Sequence, residues 1–207
     1  MSTAPHTTCI FEQAIADHIE VVRQLLDQQP ALKSIALAMQ ETLHRGGKIL
    51  WCGNGGSAAD SQHFAAEIVG RFRRERRGLP SIALTTDTSI LTSISNDYGY
   101  EQVFSRQVEA LGNPGDLLFG ISTSGNSKNV IRALEAARAR GLVTVAFTGS
   151  GGGQMLALAD HTLAISSSDT ARIQEAHLVA GHMLCDWVEL DHVHTAEKAT
   201  PAGIENR

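Results

Sequence analysis

Residues 48–72 read KILWCGNGGSAADSQHFAAEIVGRF, and residues 116–140 read DLLFGISTSGNSKNVIRALEAARAR. Each segment begins with an apolar run, passes through a short loop of small polar residues and continues in a helical pattern. Such a loop at the start of a helix offers an anion free backbone N–H groups, hydroxyl donors and the positive end of the helix dipole. The two segments therefore predict two strand–loop–helix units, each with a candidate anion-binding loop.

The composition is typical of one globular domain. The chain has 207 residues, of which 43% are hydrophobic and 19% charged, so it can bury one sizeable core. A net charge of −5 and an isoelectric point near 6.0 argue against a surface that holds nucleic-acid backbone. We expect a single domain over residues 1–207.

The cysteines and the lack of long apolar runs are typical of a cytoplasmic protein. Cys9, Cys52 and Cys185 have no paired spacing, which fits neither a disulfide framework nor a cysteine zinc site. No apolar run approaches the roughly 18–20 residues that span a membrane, and the first residues lack the pattern of a secretory signal. We expect a cytoplasmic protein that binds neither membrane nor nucleic acid.

Alternating apolar runs and helical patterns predict the fold. An N-terminal helical pair over about residues 10–45, with Pro30 in the first turn of its second helix, indicates a lid, an oligomer interface or packing on the chain's own core. Apolar runs follow at residues 49–52, 82–85, 117–121, 143–148 and 162–165. Helical patterns cover residues 57–72, 103–111, 127–140, 154–159 and about 171–190.

This order predicts an α/β protein, a three-layer αβα sandwich with a five-stranded parallel sheet. Ligands of such sheets bind beyond the carboxyl ends of the strands, where both loops fall. Residues from about 191 to 207 are predicted to form a flexible tail. His192 and His194 could bind a metal there, although a lone His-x-His in a polar tail is more often unliganded.

The second loop is the stronger phosphate candidate. Four hydroxyl residues converge within six positions at a helix start: Ser122, Thr123, Ser124 and Ser127. N-capping is the alternative, but a cap needs only one hydroxyl. The first loop approximates a dinucleotide fingerprint, Gly53-x-Gly55-x-x-Ala58, yet an acidic residue about 20 positions onward at a strand end is missing. We therefore favour a small phosphoester as the ligand.

The helix after the first loop carries His63 and Glu67, four residues apart and so on one face. A solvated polar pair is one interpretation, and a face that lines the ligand site is the other. By helical phase, Arg71 extends the same stripe, while the run of residues 71–77 indicates a solvated helix end or a polyanion site. His182, in an apolar stretch of the last helix, is either a core histidine or part of a site with His63 and Glu67 suited to acid–base chemistry or zinc.

Several separated motifs, in order, resemble a known family. They are Cys52-Gly-Asn-Gly-Gly-Ser57, Gln62-His-Phe-Ala-Ala-Glu67, Asn96-Asp97, Ile121-Ser-Thr-Ser-Gly-Asn-Ser127 and Arg172-Ile-Gln-Glu175. Over about residues 10–190 the chain resembles the sugar isomerase (SIS) domain family, in its phosphoheptose isomerase branch. The resemblance implies a homotetramer with sites between subunits, in which the N-terminal helices help to form a central bundle.

The resemblance also implies an activity, the isomerisation of sedoheptulose 7-phosphate to D-glycero-D-manno-heptose 7-phosphate for bacterial surface polysaccharide. It implies that the hydroxyl residues of the second loop hold the phosphate and that Asn54, Gly55, Gly56, Ser57, Asn96 and Asp97 contact the substrate. Glu67 would move a proton between C1 and C2, with His182 as its acid–base partner. His63, Glu67, Gln174 and His182 match the family's ligands for one zinc ion per subunit, and Gln174 would also contact substrate.

Two points temper this reading. Gln174 and His182 are eight residues apart, about 12 Å on a regular helix, so either the helix begins irregularly or one ligand comes from a neighbouring subunit. The segments at residues 79–97 and 170–186 also resemble a non-enzymatic tetrameric relative that binds the bacterial replication initiator. That relative lacks the counterparts of Glu67 and His182, so the residues that carry chemistry favour the isomerase.

Overall fold

A five-stranded sheet forms the centre of the fold. The computed structural model describes residues 5–199, apart from the side chains of residues 5–8, 194 and 196–199. The strands are β1 (Ile49–Gly53), β2 (Ser81–Ala83), β3 (Leu117–Ser122), β4 (Val143–Thr148) and β5 (His161–Ala164). The helices are α1 (Pro5–Arg23), α2 (Gln29–His44), α3 (Gly56–Val69), α4 (Thr88–Tyr98), α5 (Ser105–Leu111), α6 (Lys128–Ala139) and α7 (Thr170–Ala199), with short 3-10 turns at Gln24–Leu26, Tyr100–Gln102 and Gly153–Ala157.

The strand order places β1 and β3 side by side. The order across the sheet is β2-β1-β3-β4-β5, and every neighbouring pair is parallel. From β1 the chain continues to one edge of the sheet, and from β3 it continues to the other. A crevice for ligands opens at such a reversal, beyond the carboxyl ends of the two strands.

Helices cover both faces of the sheet and confirm the predicted three-layer sandwich. On one face Trp51, Phe119 and Phe147 pack against residues of α1, α2, α3 and α7. Trp51 stacks on Phe119 at a ring distance of 4.1 Å. On the other face Leu50 and Leu118 pack against α5 and α6. Because both faces are buried, the strands read as continuous apolar runs rather than as alternating patterns.

Several elements differ from the sequence prediction, three of them as follows. The helix after the first loop ends at Val69 instead of Phe72, since Gly70 follows it. The helix α4 was not predicted, because its serine and threonine residues are weak helix formers and none of its residues is fully buried. The last helix continues to Ala199, so residues 191–199 are helical rather than a frayed tail; residues 200–207 lie outside the described part of the chain.

None of the helices described is both long and apolar enough to cross a membrane.

Candidate active site

The loops after β1 and β3 lie side by side at the carboxyl edge of the sheet. Gly53 at the end of β1 pairs in register with Ile121 of β3. The side-chain amides of Asn54 and Asn129 exchange two hydrogen bonds, of 2.9 and 2.8 Å, between the first loop and the first turn of α6. The Tyr100 hydroxyl donates a further hydrogen bond to Asn54 Oδ1 at 3.1 Å. Both loops therefore lie where a ligand crevice is expected for this strand order.

The hydroxyl groups of the serine loop, residues 122–127, converge. Ser122 Oγ lies 2.8 Å from Ser127 Oγ and 3.3 Å from Ser124 Oγ, and the Thr123 residue is partly buried. Ser127 directly precedes α6, yet its side chain makes no capping hydrogen bond to the helix. The N-capping alternative is therefore not realised by this residue. Hydroxyls and helix amides are both available to an anion at this position.

The glycine loop, residues 53–57, packs against α7. A methyl group added at Gly56 would lie 2.4 Å from Gln174 Nε2, so glycine is needed for the side chain of Gln174 to reach this loop. Gly55 precedes α3 with a positive φ of 55°. Ser57 is buried, and its carbonyl oxygen accepts a hydrogen bond of 2.8 Å from the Ser61 hydroxyl. Asn54 and the two glycines therefore belong to a loop that lies next to the Gln174 side chain of α7.

His63 and Glu67 lie one turn apart on α3, and His182 of α7 meets them. His63 Nε2 lies 2.8 Å from His182 Nε2 and 3.5 Å from Glu67 Oε1. One potential ligand atom from each of the three residues lies within 4.8 Å of the other two. Two imidazoles and a carboxylate fit a divalent transition metal and also suit proton transfer. The structure therefore joins the three residues that the sequence indicated, and the donor set fits a metal ion.

Aromatic packing fixes the position of His182. The Phe72 ring stacks on the imidazole at 5.3 Å. A methyl group at Gly181 would lie 2.2 Å from the Phe64 ring, so the glycine allows α7 to pack closely on α3. Burial, and secondly the charge of His63, lower the pKa of His182, while Glu67 opposes them. At pH 7 the neutral ring has one nitrogen that donates and one that accepts a proton.

Asp60 lies beside the cluster, and the sequence analysis did not single it out. It lies three residues before His63, on the same side of α3. Burial raises the pKa of its carboxyl group to about 6, against an opposing effect of His63. Its Oδ2 is buried and has no hydrogen-bond partner among the described residues. The spacing Asp-x-x-His-x-x-x-Glu was the available signal, since it places all three side chains along one helix face.

The helical-phase argument for Arg71 is wrong. Because α3 ends at Val69, Arg71 does not continue the stripe of His63 and Glu67. Its side chain is more than half exposed, and its Nε lies 3.6 Å from Glu75 Oε2. The contact that the structure gives Arg71 is thus an ion pair with Glu75.

Asn96 and Asp97 lie on α4, near its end. Asn96 Nδ2 donates a hydrogen bond of 2.8 Å to Asp97 Oδ1, and both residues are exposed. Within the described residues, no hydrogen bond joins their side chains to the glycine or serine loop. Their contact with substrate stays a prediction.

Gln174 and His182 lie on a regular helix. The helix α7 is α-helical from Thr170, so an irregular start cannot bring the two side chains together. Eight residues correspond to about 12 Å of rise. Of the two routes by which Gln174 could share an ion with the cluster, only a contribution from a neighbouring copy is compatible with this helix.

Comparison with known proteins identifies the family. The SIS domain matches residues 11–149. A phosphoheptose isomerase of Roseiflexus sp. (strain RS-1) is 60% identical over 184 residues, which cover 86% of this chain and 93% of that protein. The phosphoheptose isomerase of Aliarcobacter butzleri (strain RM4018) is 56% identical over 189 residues, or 90% of this chain and 99% of that protein.

Solved structures agree with these relatives. The structure of a phosphoheptose isomerase from Neisseria gonorrhoeae has a TM-score of 0.81 and 45% identity, covering 91% of this chain and 100% of that one. Another, from Francisella tularensis, has a TM-score of 0.83 and 39% identity, covering 92% and 100%. The chain therefore belongs to the SIS domain family, in its phosphoheptose isomerase branch.

Proposed function

We propose that this protein is an aldose–ketose isomerase that converts sedoheptulose 7-phosphate to D-glycero-D-manno-heptose 7-phosphate. The observation that carries the proposal is the placement of Glu67 and His182 beside each other, on helices that border a crevice with a hydroxyl-rich loop. The relatives described above support the isomerase and not the initiator-binding alternative. The product would enter heptose precursors of bacterial lipopolysaccharide.

Proton transfer is the chemistry that these residues perform. The phosphate binds the hydroxyls and helix amides of the serine loop, which fixes the sugar in the crevice. Glu67 removes a proton from C1 of the ketose and returns it to C2, through an enediol. His182 exchanges a proton with the oxygens at C1 and C2, because its neutral ring can both donate and accept. Isomerisation needs no external oxidant or reductant.

We also propose that His63, Glu67 and His182 hold one zinc ion per subunit. Gln174 would join this ligand set only from a neighbouring copy, because of its distance from His182 along α7. A zinc ion, when bound, polarises a carbonyl oxygen as a Lewis acid.

A homotetramer is the proposed assembly. Large apolar side chains of α1 and the following turn are exposed, namely Ile10, Phe11, Ile15, Ile19 and Leu26. Contiguous exposed apolar surface of this kind is typical of an interface. Between α2 and α7, a groove of about 500 Å³ lined by apolar residues, including Leu32 and Met183, offers further contact surface. We propose a cytoplasmic location, since all three cysteines are free thiols.

An isomerase assay with and without a chelator tests the proposed reaction and the proposed metal together. Wild-type protein is expected to convert sedoheptulose 7-phosphate to the aldose and to lose activity with the chelator. Glu67→Gln is expected to lower turnover by at least the roughly 10²-fold that loss of a general base costs. Metal content measured in the same variant separates loss of the base from loss of the ion.

A matched control for this experiment is Glu135→Gln, which changes an exposed glutamate paired with Arg132. Its activity should equal that of the wild type. Full turnover by Glu67→Gln would remove Glu67 from the mechanism. Absence of turnover by a folded wild-type protein would contradict the proposed function itself.

A further inference from the structure

A second group of potential metal ligands lies where the end of α2 meets α7. It consists of His44, Asp191 and His192, and one ligand atom from each lies within 4.8 Å of the others. His44 Nε2 is 2.8 Å from Asp191 Oδ2, and His192 Nδ1 is 3.9 Å from the same oxygen. Asp191 is nine residues beyond His182, roughly 13 Å along the helix. This group is therefore distinct from the candidate active site.

Neighbouring residues orient the Asp191 carboxylate. Gln40 Nε2 donates a hydrogen bond of 2.7 Å to Asp191 Oδ1. Trp187 Nε1 in turn donates to Gln40 Oε1 at 3.3 Å, which fixes the amide with its nitrogen toward the carboxylate. Metal-binding carboxylates are held by outer hydrogen bonds of this kind. Oδ1 is thus engaged, and Oδ2 faces the two histidines.

A hydrogen bond to the backbone also orients the His192 imidazole. Its Nδ1 donates a hydrogen bond of 3.0 Å to the carbonyl oxygen of Val188, one turn earlier in α7. Because Nδ1 carries the proton of this hydrogen bond, Nε2 is the nitrogen of His192 that has a lone pair for a metal, and the 3.9 Å from Nδ1 to Asp191 Oδ2 only places the ring beside the carboxylate. His44, the last residue of α2, contributes the second imidazole, and the two ring centres are 5.2 Å apart.

Asp191 Oδ2 lacks a hydrogen bond. The atom is buried, and although His44 Nε2 is close, the described residues provide no correctly aligned donor for it. Buried carboxylate oxygens are rarely left without a partner, because the loss of hydration is costly. A cation bound by the oxygen and the two imidazoles would satisfy all three groups.

We propose that His44, Asp191 and His192 form a binding site for one divalent transition-metal ion, separate from the His63, Glu67 and His182 cluster. Two imidazoles and one carboxylate suit Zn²⁺ or Co²⁺, with a further position left for water. The ion would join the end of α2 to the second half of α7. The proposal does not depend on the proposed isomerase activity.

Cobalt binding to a full-length, untagged variant tests the site. His63→Ala combined with His182→Ala removes two ligands of the other cluster, so Co²⁺ bound with a visible d–d absorption is expected at one ion per chain from the second site. Adding His44→Gln or His192→Gln removes a ligand. Loss of a residue that only hydrogen-bonds to a metal ligand lowers metal affinity roughly 10- to 100-fold, and loss of a ligand itself should lower the Co²⁺ affinity by at least as much. Gln40→Leu should produce a loss within that smaller range.

Two results would overturn the proposal. One is absence of Co²⁺ binding by the folded His63→Ala, His182→Ala protein. The other is binding that His44→Gln and His192→Gln leave unchanged. Circular dichroism establishes that each variant is folded. The same His44→Gln or His192→Gln change, made in protein that keeps His63 and His182, should lower the number of bound Co²⁺ ions by one per chain. Isomerase activity of these single variants should equal that of the wild type.

Discussion

His177 shows how burial changes the protonation of a single residue. The side chain is fully buried in α7, and its Nε2 lies 3.0 Å from the carbonyl oxygen of Thr148, to which it donates. Burial lowers the pKa of this imidazole from 6.5 to about 4. The unfolded chain therefore takes up a proton at a higher pH than the folded protein does. The contribution of His177 to stability is complete above about pH 6.5 and is lost as the pH falls toward 4.

The predicted consequence is a difference in acid sensitivity between wild type and His177→Gln. Between about pH 7.5 and about pH 5, wild type should lose about 2 kcal/mol more of its free energy of unfolding than the variant loses. Glutamine retains a donor for Thr148 but does not titrate. Asp60, whose raised pKa acts in the opposite direction, is present in both proteins and cancels. Urea unfolding at both pH values measures this, and equal losses would contradict a neutral buried histidine.

Single residues of the site were predictable to different degrees. A spacing of four placed His63 and Glu67 on one helix face without any knowledge of the fold. The sequence left His182 open between a core and a site residue, because the packing of α7 on α3 through Gly181 cannot be read from one segment. Asp60 was not predicted, because the burial that raises the pKa of its carboxyl group depends on tertiary structure.

At the scale of elements, Glu189 of α7 organises the segment that follows α3. Its carboxylate is fully buried and accepts hydrogen bonds from the backbone N–H groups of Phe72, Arg73 and Arg74, at 3.2, 2.7 and 2.9 Å. Beside it, Arg76 donates to the carbonyl oxygens of Glu67, Ile68 and Gly70 at the end of α3. The arginine-rich run is therefore an ordered, non-helical segment that follows α3, and it holds Phe72 against His182.

Replacing the carboxylate should loosen this segment. We expect Glu189→Gln to lower the free energy of unfolding by roughly 3 kcal/mol. The neutral amide leaves the buried charge of Arg76 without its partner, and it has one acceptor oxygen for the three backbone N–H groups instead of two. Isomerase turnover should fall as well, since Phe72 positions His182. Glu135→Gln at an exposed ion pair is the control and should cost less than about 0.5 kcal/mol. Similar unfolding midpoints in urea for both variants would count against this role of Glu189.

Elements with strong local signals were predictable, and elements stabilised from a distance were not. The five strands are apolar runs bounded by glycine and polar residues, so their positions agree with the sequence to within one or two residues. The end of α3 depends on Arg76 and Glu189, and Glu189 lies more than a hundred residues away. The helix α4 has an Asp87 cap that accepts from Ile90 N, but it lacks the buried apolar stripe by which helices are recognised.

At the scale of the whole molecule, the exposed apolar stripe of α1 predicts an effect on assembly. Ile15→Glu combined with Ile19→Glu should convert the proposed tetramer into smaller species, because charges replace apolar contacts at the interface. Leu156→Glu, an equivalent change at an exposed leucine outside α1, should leave the mass unchanged. Light scattering after size-exclusion chromatography measures the mass. A monomeric wild type, or a double variant that keeps its mass, would refute this assembly.

One helix, α7, sets the spacing of several distant functions. Along it lie Gln174 at the glycine loop, His182 at the proposed catalytic cluster, Glu189 under the arginine segment and Asp191 near the end of α2. Inserting or deleting one residue would rotate every later position by about 100° and shift it by about 1.5 Å. Such a change would misplace all later groups at once, whereas each can be substituted separately. Changes in the length of α7 are thus constrained more strongly than changes in the identity of its residues.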